Sequence, residues 1–168
     1  MIKYALSGTH GVGKSTKVYE EAYRLKMAEP NKEIGILLEN ARLCPLPVNK
    51  KSTVESQLWI FGNQMAREIE LCRTYDILIC DRTVADVVAY SYVFGFENLA
   101  DSLLEVCKSY INTYDEITLN TIAKNDYWFE CGIRDTTDIL YREAVERQLI
   151  AIYEELLFWG GKFKFTIN

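Results

Sequence analysis

Proline, histidine and long apolar runs are all scarce in this sequence of 168 residues. It contains three prolines and one histidine. No stretch approaches the roughly 18 consecutive apolar residues that indicate a membrane-spanning helix. The first residues also lack the charged and apolar regions of a signal peptide. We therefore expect neither export nor membrane insertion, and we expect a cytoplasmic protein.

Cysteine is present, but not in a pattern that predicts a bridged or metal-bound framework. The five cysteines form no C-x-x-C pair, and their odd number leaves one unmatched. This spacing argues against a disulfide scaffold and against a zinc site. A reducing compartment fits such a chain better than an oxidising one.

The balance of charge is acidic, with a formal net charge of -5 and a pI near 5.0. A broad surface for nucleic-acid phosphates is therefore disfavoured, whereas small anionic ligands in a local basic pocket stay compatible with the composition. Hydrophobic residues make up 49% of the chain and charged residues 26%. Residues 1–168 are predicted to form one globular domain with a sizeable core.

Strand-like and helix-like segments alternate along the chain, which predicts an α/β fold with a parallel sheet covered by helices on both faces. Short apolar runs and helical spacing locate the elements. The predicted strands are 2–7, 34–38, 76–80, 117–119 and 163–167. The predicted helices are 14–27, 53–74, 83–110 with a division at Gly95, and 137–158. The irregular segment 121–136 is too long for a simple connection and is interpreted as a lid.

One glycine-rich motif has high specificity. Residues 8–15 read GTHGVGKS, a full match to G-x-x-x-x-G-K-[ST], placed between an apolar strand and a helix as this phosphate-binding loop requires. Glycines permit unusual dihedral angles and close approach of backbone N–H groups to a polyphosphate. The predicted nucleotide-binding residues are Gly8, His10, Gly11, Val12, Gly13, Lys14, Ser15 and Thr16.

Within this loop three side chains have distinct expected roles. Lys14 is expected to reach the β- and γ-phosphates of ATP, Ser15 to offer its hydroxyl to Mg²⁺, and Thr16 to support the α-phosphate. His10 is the only histidine, but it occupies a free position of the motif. Its backbone amide is expected to matter more than its ring.

Sequence signatures of other phosphate-binding-loop proteins are missing. There is no N-K-x-D guanine motif, no D-x-x-G switch after the third strand, and no room for the extra helical domain of a ring-forming ATPase. These absences favour a kinase among the proteins that share the loop.

Asp81-Arg82-Thr83 follows the third predicted strand, at the sheet edge where open α/β sheets bind ligands. Asp81 is a candidate metal ligand together with Ser15, and Arg82 a candidate clamp for the acceptor or for transition-state charge. The alternative is that Asp81 caps the next helix and Arg82 pairs with a surface acid.

Glu39 follows the second predicted strand and precedes Arg42. A carboxylate there could accept a proton from an attacking hydroxyl, and Arg42 could hold a polar part of the acceptor. The alternative is an ordinary solvated strand end followed by a proline-stiffened loop.

Taken together, these motifs resemble the nicotinamide riboside kinase-like branch of P-loop ATPase/kinase domains, a group related to deoxynucleoside and nucleoside-monophosphate kinases. The resemblance covers most of the chain. Its P-loop part is highly specific, and the remainder is suggestive. It rests on GTHGVGKST (8–16), the E-x-x-R-x-x-P pattern of Glu39, Arg42 and Pro45, Gln57 with Trp59, DRTVADVVAY (81–90), Tyr127 and the GIRD turn (132–135).

The resemblance implies a three-layer P-loop fold whose five parallel strands have the order 2-3-1-4-5. It also implies ATP with Mg²⁺, an acceptor between the ends of the second and third strands, and closure of Arg134 over the phosphates, with Arg142 as a second cation. Trp59 and Tyr127 are candidates to stack against the acceptor. The sequence departs from a classical Walker B motif, since Asp115-Glu116 precedes the apolar residues of the fourth strand.

The predicted function is transfer of the γ-phosphoryl group of ATP to a small nucleoside- or nucleotide-like acceptor, by a monomer or homodimer. Lys14, Glu39, Asp81, Arg82 and Arg134 are the predicted catalytic residues. Two alternatives stay open, namely a kinase of polynucleotide ends or hydroxymethylated bases, and a nucleotide-switched regulatory module.

Overall fold

Five parallel strands and five α-helices make up the part of the chain that the structure, a computed structural model, describes, namely residues 1–122 and 138–168. The strands are β1 (Ile2–Ser7), β2 (Ile34–Leu37), β3 (Ile77–Asp81), β4 (Glu116–Leu119) and β5 (Lys164–Ile167). The helices are α1 (Lys14–Ala28), α2 (Val54–Leu71), α3 (Val84–Val93), α4 (Glu97–Tyr110) and α5 (Ile139–Phe158). Short 3-10 helices cover Asn40–Leu43, Asn49–Lys51 and Ile111–Thr113.

The strands form one sheet in the order β2-β3-β1-β4-β5, and every pairing is parallel. In the central strand, Leu6 is aligned with Asp81 of β3, and Ser7 with Leu119 of β4. The carboxyl ends of β1, β3 and β4 therefore lie at the same edge of the sheet. The predicted α/β class, three layers and strand order are confirmed.

Helices pack on both faces of this sheet. Val18 and Leu25 of α1 pack against Ile77 and Ile79 on one face. On the other face, the larger core joins inward-facing residues of the strands, such as Leu78, to α2, α3, α4 and α5. Burial of apolar side chains on the two faces, worth about 25 cal/mol per Å² removed from water, holds the layers together.

Local sequence signals set where three of the helices begin. The Thr53 side chain accepts a hydrogen bond from the N–H of Ser56, whose hydroxyl accepts one from the N–H of Thr53. Thr83 and Asp86 form a reciprocal cap at the start of α3. Asp138 caps α5. Such caps satisfy N–H groups that have no partner inside a helix, each worth about 1 kcal/mol.

Some element boundaries differ from the predicted ones. β3 extends to Asp81 because this residue still pairs with Leu6 of β1. α2 ends at Leu71, not at residue 74, because the N–H groups of Arg73 and Thr74 bond to carbonyls three residues back and close the chain into a turn. Gly95 does divide the third helical segment, and it has a left-handed φ of 79°.

The predicted lid, 121–136, falls almost entirely on residues 123–137, which lie outside the described residues. Within the described ranges, none of the helices combines the length and apolar character needed to cross a bilayer.

Candidate active site

The loop between β1 and α1 has the backbone conformation that its glycines predict. Gly8, Gly11 and Gly13 have φ values of 139°, 77° and 70°, which lie in the region that other residues rarely adopt. A Cβ atom on Gly8 would lie 2.5 Å from the carbonyl oxygen of Asn120. The sequence needs glycine at this position for both reasons.

Helix α1 begins at the end of this loop, and no acidic side chain in its first turn offsets the positive end of its dipole. Gly13 is the N-cap, no side chain of the described residues caps the helix, and its first turn contains no acidic residue. The first N–H groups and the positive end of the helix dipole therefore favour an anion here. Val12 is buried beneath the loop, and Thr16 is exposed in the first turn.

Two side chains at the start of α1 point toward the site. Lys14 is buried, and its Nζ donates to the carbonyl oxygen of Thr9 at 2.5 Å, so its ammonium group lies against the loop. Ser15 Oγ donates to Asp81 Oδ2, also at 2.5 Å. A hydroxyl and a carboxylate thus converge at the end of β3. These oxygen donors suit Mg²⁺, which proteins hold through one or two such groups together with substrate phosphates.

Glu39 and Arg82 form a buried ion pair between the ends of β2 and β3. Arg82 Nε donates to Glu39 Oε1 at 2.8 Å, and both side chains are under 10% exposed. Arg42, which is 44% exposed, donates from Nε to Glu39 Oε2 at 3.3 Å. Glu39 is therefore not an ordinary solvated strand end.

Arg82 connects this pair to the phosphate-binding loop. Its Nη1 donates to the carbonyl oxygen of Gly8 at 3.1 Å and to Asp86 Oδ1 at 3.0 Å. Its guanidinium also lies over the ring of Tyr90, 5.0 Å from the centroid. Burial alone would lower the pKa of Arg82, but Tyr90, Asp86 and Asp81 outweigh it and raise the pKa. The arginine is a fixed cation at the centre of the site.

Asp86 organises the same region and was missed by the sequence reasoning. Its Oδ2 accepts hydrogen bonds from Ser7 Oγ at 2.9 Å and from the Thr83 N–H at 2.9 Å. Its Oδ1 accepts from the Gly8 N–H at 3.3 Å. The T-x-x-D spacing of a capping box was the available signal, although it predicts only a helix start.

These contacts exclude the structural alternative for the Asp81-Arg82-Thr83 sequence, and the metal and acceptor roles stay predictions. Thr83, not Asp81, is the N-cap of α3. Arg82 pairs with the buried acids Glu39 and Asp86. The structure therefore brings Ser15, Asp81, Arg82 and Glu39 to one edge of the sheet, whereas the alternative placed Asp81 in a cap and Arg82 on the surface.

A pocket opens beside the Glu39–Arg82 pair, between α2, α3 and the start of α5. Its walls combine aromatic rings with a few polar groups. Besides the pair, the residues that line it include His10, Gln57, Tyr90, Phe94 and Tyr141. Such a combination of apolar wall and convergent polar groups is typical of a small-molecule site.

His10 lines this pocket, and the expectation that its backbone amide matters more than its ring stays a prediction. The ring is 5.5 Å from that of Tyr141, and Nδ1 lies 3.4 Å from the Tyr90 hydroxyl. The Tyr141 hydroxyl is buried, and no group in residues 1–122 or 138–168 forms a hydrogen bond with it. Burial, followed by the charge of Tyr90, raises the pKa of Tyr141, so its hydroxyl remains protonated at neutral pH.

Arg142, which the resemblance named as a second cation for the phosphates, lies beside the phosphate loop. It is fully buried at the start of α5, and its Nε donates to the carbonyl oxygen of His10 at 3.1 Å. Sequence spacing gives no signal for this contact, because 132 positions separate the two residues.

The remaining predicted residues are not brought into the described site. Trp59 is partly buried, packs against the main core and does not line the pocket. Tyr127 and Arg134 lie outside the described residues. Asp115 accepts a hydrogen bond from the Lys3 N–H, and Glu116 pairs with Lys164, both at the opposite edge of the sheet from the phosphate loop.

Solved structures of two nucleotide-related kinases superpose on almost the whole of this chain. Thymidylate kinase from Ehrlichia chaffeensis superposes with a TM-score of 0.66 at 14% identity, covering 99% of this chain and 85% of that one. Deoxyadenosine kinase from M. mycoides with bound dATP gives 0.65 at 17% identity, covering 100% and 90%. The same kinase with products bound gives 0.67 at 16% identity, covering 99% and 89%.

This chain has the fold of P-loop nucleotide kinases. No protein-family model matches the sequence, and no curated protein does. The narrower resemblance to nicotinamide riboside kinase-like proteins stays a prediction.

Proposed function

We propose that this protein transfers the γ-phosphoryl group of ATP to a hydroxyl group of a nucleoside-like acceptor. One observation supports this most directly: Arg82 contacts the phosphate-binding loop at Gly8 and the acceptor-pocket carboxylate Glu39 at the same time. A donor phosphate in the loop and an acceptor in the pocket would therefore meet beside the same cation.

Each residue of the site has a role in this proposal. Lys14 and the N–H groups at the start of α1 hold the β- and γ-phosphates, and Arg82 balances charge on the group in transfer. Ser15 and Asp81 would hold Mg²⁺, which supplies neutralisation of the phosphate oxygens. Glu39 accepts the proton of the acceptor hydroxyl.

The pocket contains groups that suit a nucleoside-like acceptor. The Glu39 carboxylate lines it and could accept the proton of a bound hydroxyl, and the charge of Arg82 offsets those of Glu39 and Asp86. Its aromatic wall suits a flat base, and Gln57 and the Tyr141 hydroxyl offer hydrogen bonds to such a base.

An acceptor screen tests this function. Purified protein with MgATP is incubated with a panel of nucleosides and nucleoside monophosphates, and products are identified by mass spectrometry. We expect at least one nucleoside to gain a phosphoryl group. ADP release that is indifferent to every acceptor would contradict the proposal and point to a nucleotide-switched module, and phosphorylation of DNA alone would point to a polynucleotide kinase.

Two variants separate the chemistry from nucleotide binding. Glu39→Gln removes the proton acceptor and should lower kcat by about 100-fold or more while leaving ATP affinity unchanged. Lys14→Ala should instead abolish most phosphate-dependent ATP affinity, measured by calorimetry. A Glu39→Gln variant with wild-type kcat would exclude Glu39 as the base.

A further inference from the structure

A buried glutamine in the middle of α2 connects the two segments that supply the acceptor site. Gln64 is 2% exposed. Its Oε1 accepts a hydrogen bond at 2.8 Å from Nδ2 of Asn40, the residue that directly follows Glu39 in the chain. Its Nε2 lies 3.3 Å from the backbone carbonyl oxygen of Arg82 and donates to it. One side chain therefore contacts the residue next to Glu39 and the backbone of Arg82.

The backbone of Arg82 needs such support. Arg82 has a φ of 93°, a left-handed backbone conformation that residues with a Cβ atom rarely adopt because it is sterically strained. Its N–H still pairs with Leu6 of β1 at 2.9 Å. Its carbonyl bonds to Gln64. The strained turn thus lies between a sheet hydrogen bond and a helix side chain, and its conformation sets the direction of the guanidinium.

A hydrogen bond to Glu68 fixes the orientation of the Gln64 amide. Nε2 also donates to Glu68 Oε1 at 2.8 Å, and a carboxylate can only accept, so the NH₂ group must face it. Glu68 is fully buried and bonds Lys3 Nζ at 2.7 Å and the Tyr114 hydroxyl at 2.7 Å. Every polar group of this chain of contacts is satisfied, which makes it rigid.

We propose that Gln64 is a positioning residue, which acts by holding the Glu39–Arg82 pair in place for phosphoryl transfer. Gln64 does not line the acceptor pocket, so it acts through its two contacts and not on the substrate. The activity readout of this inference rests on the proposed function.

Gln64→Met tests the inference, since methionine is similar in shape but makes none of the three hydrogen bonds of the Gln64 amide. We expect kcat to fall about tenfold or more, because small displacements of catalytic groups are costly. The KM for ATP should stay within about twofold, since Gln64 makes no contact with the phosphate loop. Gln148→Met, at a half-buried position on α5 that does not line the pocket, is the matched control and should leave both constants unchanged.

A spectroscopic readout keeps the inference separate from the proposed function. The Arg82 Nε–H donates to Glu39 and should give a slowly exchanging NMR signal in the wild-type protein, whether or not an acceptor is known. Gln64→Met should shift it or increase its exchange at least about tenfold. An inactive wild type would overturn the proposed function, whereas an unchanged Arg82 signal in a folded Gln64→Met protein would overturn the positioning role.

Asn40→Ala provides a second variant in case Gln64→Met does not fold. It removes one of the two contacts and should produce the same pattern, a lower kcat with unchanged KM for ATP and a perturbed Arg82 signal. Unchanged kcat and an unchanged Arg82 signal in this variant would also overturn the inference. So would an equal fall in ATP affinity and kcat with the Arg82 signal intact, since that is the result of a merely structural role.

Discussion

At the scale of single residues, the contact between Ser15 and Asp81 leads to a prediction about metal support. Asp81→Asn keeps an oxygen that can accept from Ser15 Oγ, so the thermal unfolding temperature should stay close to that of the wild type. It removes the negative charge that would hold Mg²⁺. We expect turnover with MgATP to fall at least about 100-fold, measured as ADP release in the presence of acceptor.

Glu116→Gln is a suitable control, because Glu116 is the acidic residue that begins β4 and its carboxylate accepts a hydrogen bond from Lys164. This variant should retain wild-type turnover. If Glu116→Gln and not Asp81→Asn abolished turnover, the metal ligand would be at the start of β4, and the assignment of Asp81 would be wrong.

The sequence predicted the conformation of the phosphate loop well, because it depends on backbone freedom and on fixed spacing along a strand, turn and helix. It did not predict Asp86 or the His10 ring as parts of the site, and Arg142 came only from the resemblance to a kinase family. Those depend on contacts across the fold, such as the bond from Arg142 to the carbonyl of His10. Periodicity carries no information about such contacts.

At the scale of elements, the junction of β1 with its loop predicts a cost for any side chain at Gly8. Gly8→Ala would place a Cβ 2.5 Å from a backbone oxygen, at a φ of 139°. A backbone atom cannot move aside as a flexible side chain can. We expect the free energy of unfolding to fall by more than about 1 kcal/mol, measured in urea, together with weaker ATP binding.

Gly62→Ala is the matched control within an element. Gly62 lies in α2, and an added Cβ would have no atom of the described residues within 4 Å. Because alanine is a better helix former than glycine, this variant should be more stable than the wild type by about 0.5–1 kcal/mol. Equal stability changes at the two glycines would contradict the strain argument for Gly8.

The alternation of apolar runs and helical periodicity predicted the order of the elements, but it predicted the residues at which they end less accurately. β3 continues to Asp81 because its neighbour β1 offers a pairing partner at Leu6. The tight turn at residues 72–74 ends α2 early, although the composition there does not exclude a helix. The strand order came from the resemblance to P-loop kinases, since local patterns do not determine which strands are neighbours.

At the scale of the whole molecule, a buried ion pair ties the amino end of β1 to α2. Lys3 Nζ lies 2.7 Å from Glu68 Oε2, with side-chain exposures of 1% and 0%. Lys3 also donates to Thr113 Oγ1 at 2.7 Å. A lysine near the start of a strand ordinarily predicts a solvated side chain, so this pair, which spans 65 positions, could not be read from the sequence.

Lys3→Met should destabilise the fold strongly, because it leaves the Glu68 carboxylate buried without its cation. Removing one partner of such a pair costs about 3–5 kcal/mol, which urea denaturation monitored by circular dichroism would measure. Arg67→Met is the matched control, since Arg67 pairs with Glu70 on the exposed side of the same helix. That pair is 47% and 62% exposed, and its loss should cost less than about 1 kcal/mol.

The double variant Lys3→Met/Glu68→Gln decides whether charge or packing is responsible. Glutamine at position 68 removes the uncompensated charge and can still accept from the Tyr114 hydroxyl, whose pKa is raised by burial and by the Glu68 charge. If an unpaired charge causes the loss, the double variant should be more stable than Lys3→Met alone. If its loss equals the sum of the two single losses, the methionine disturbs packing and the pair is not coupled.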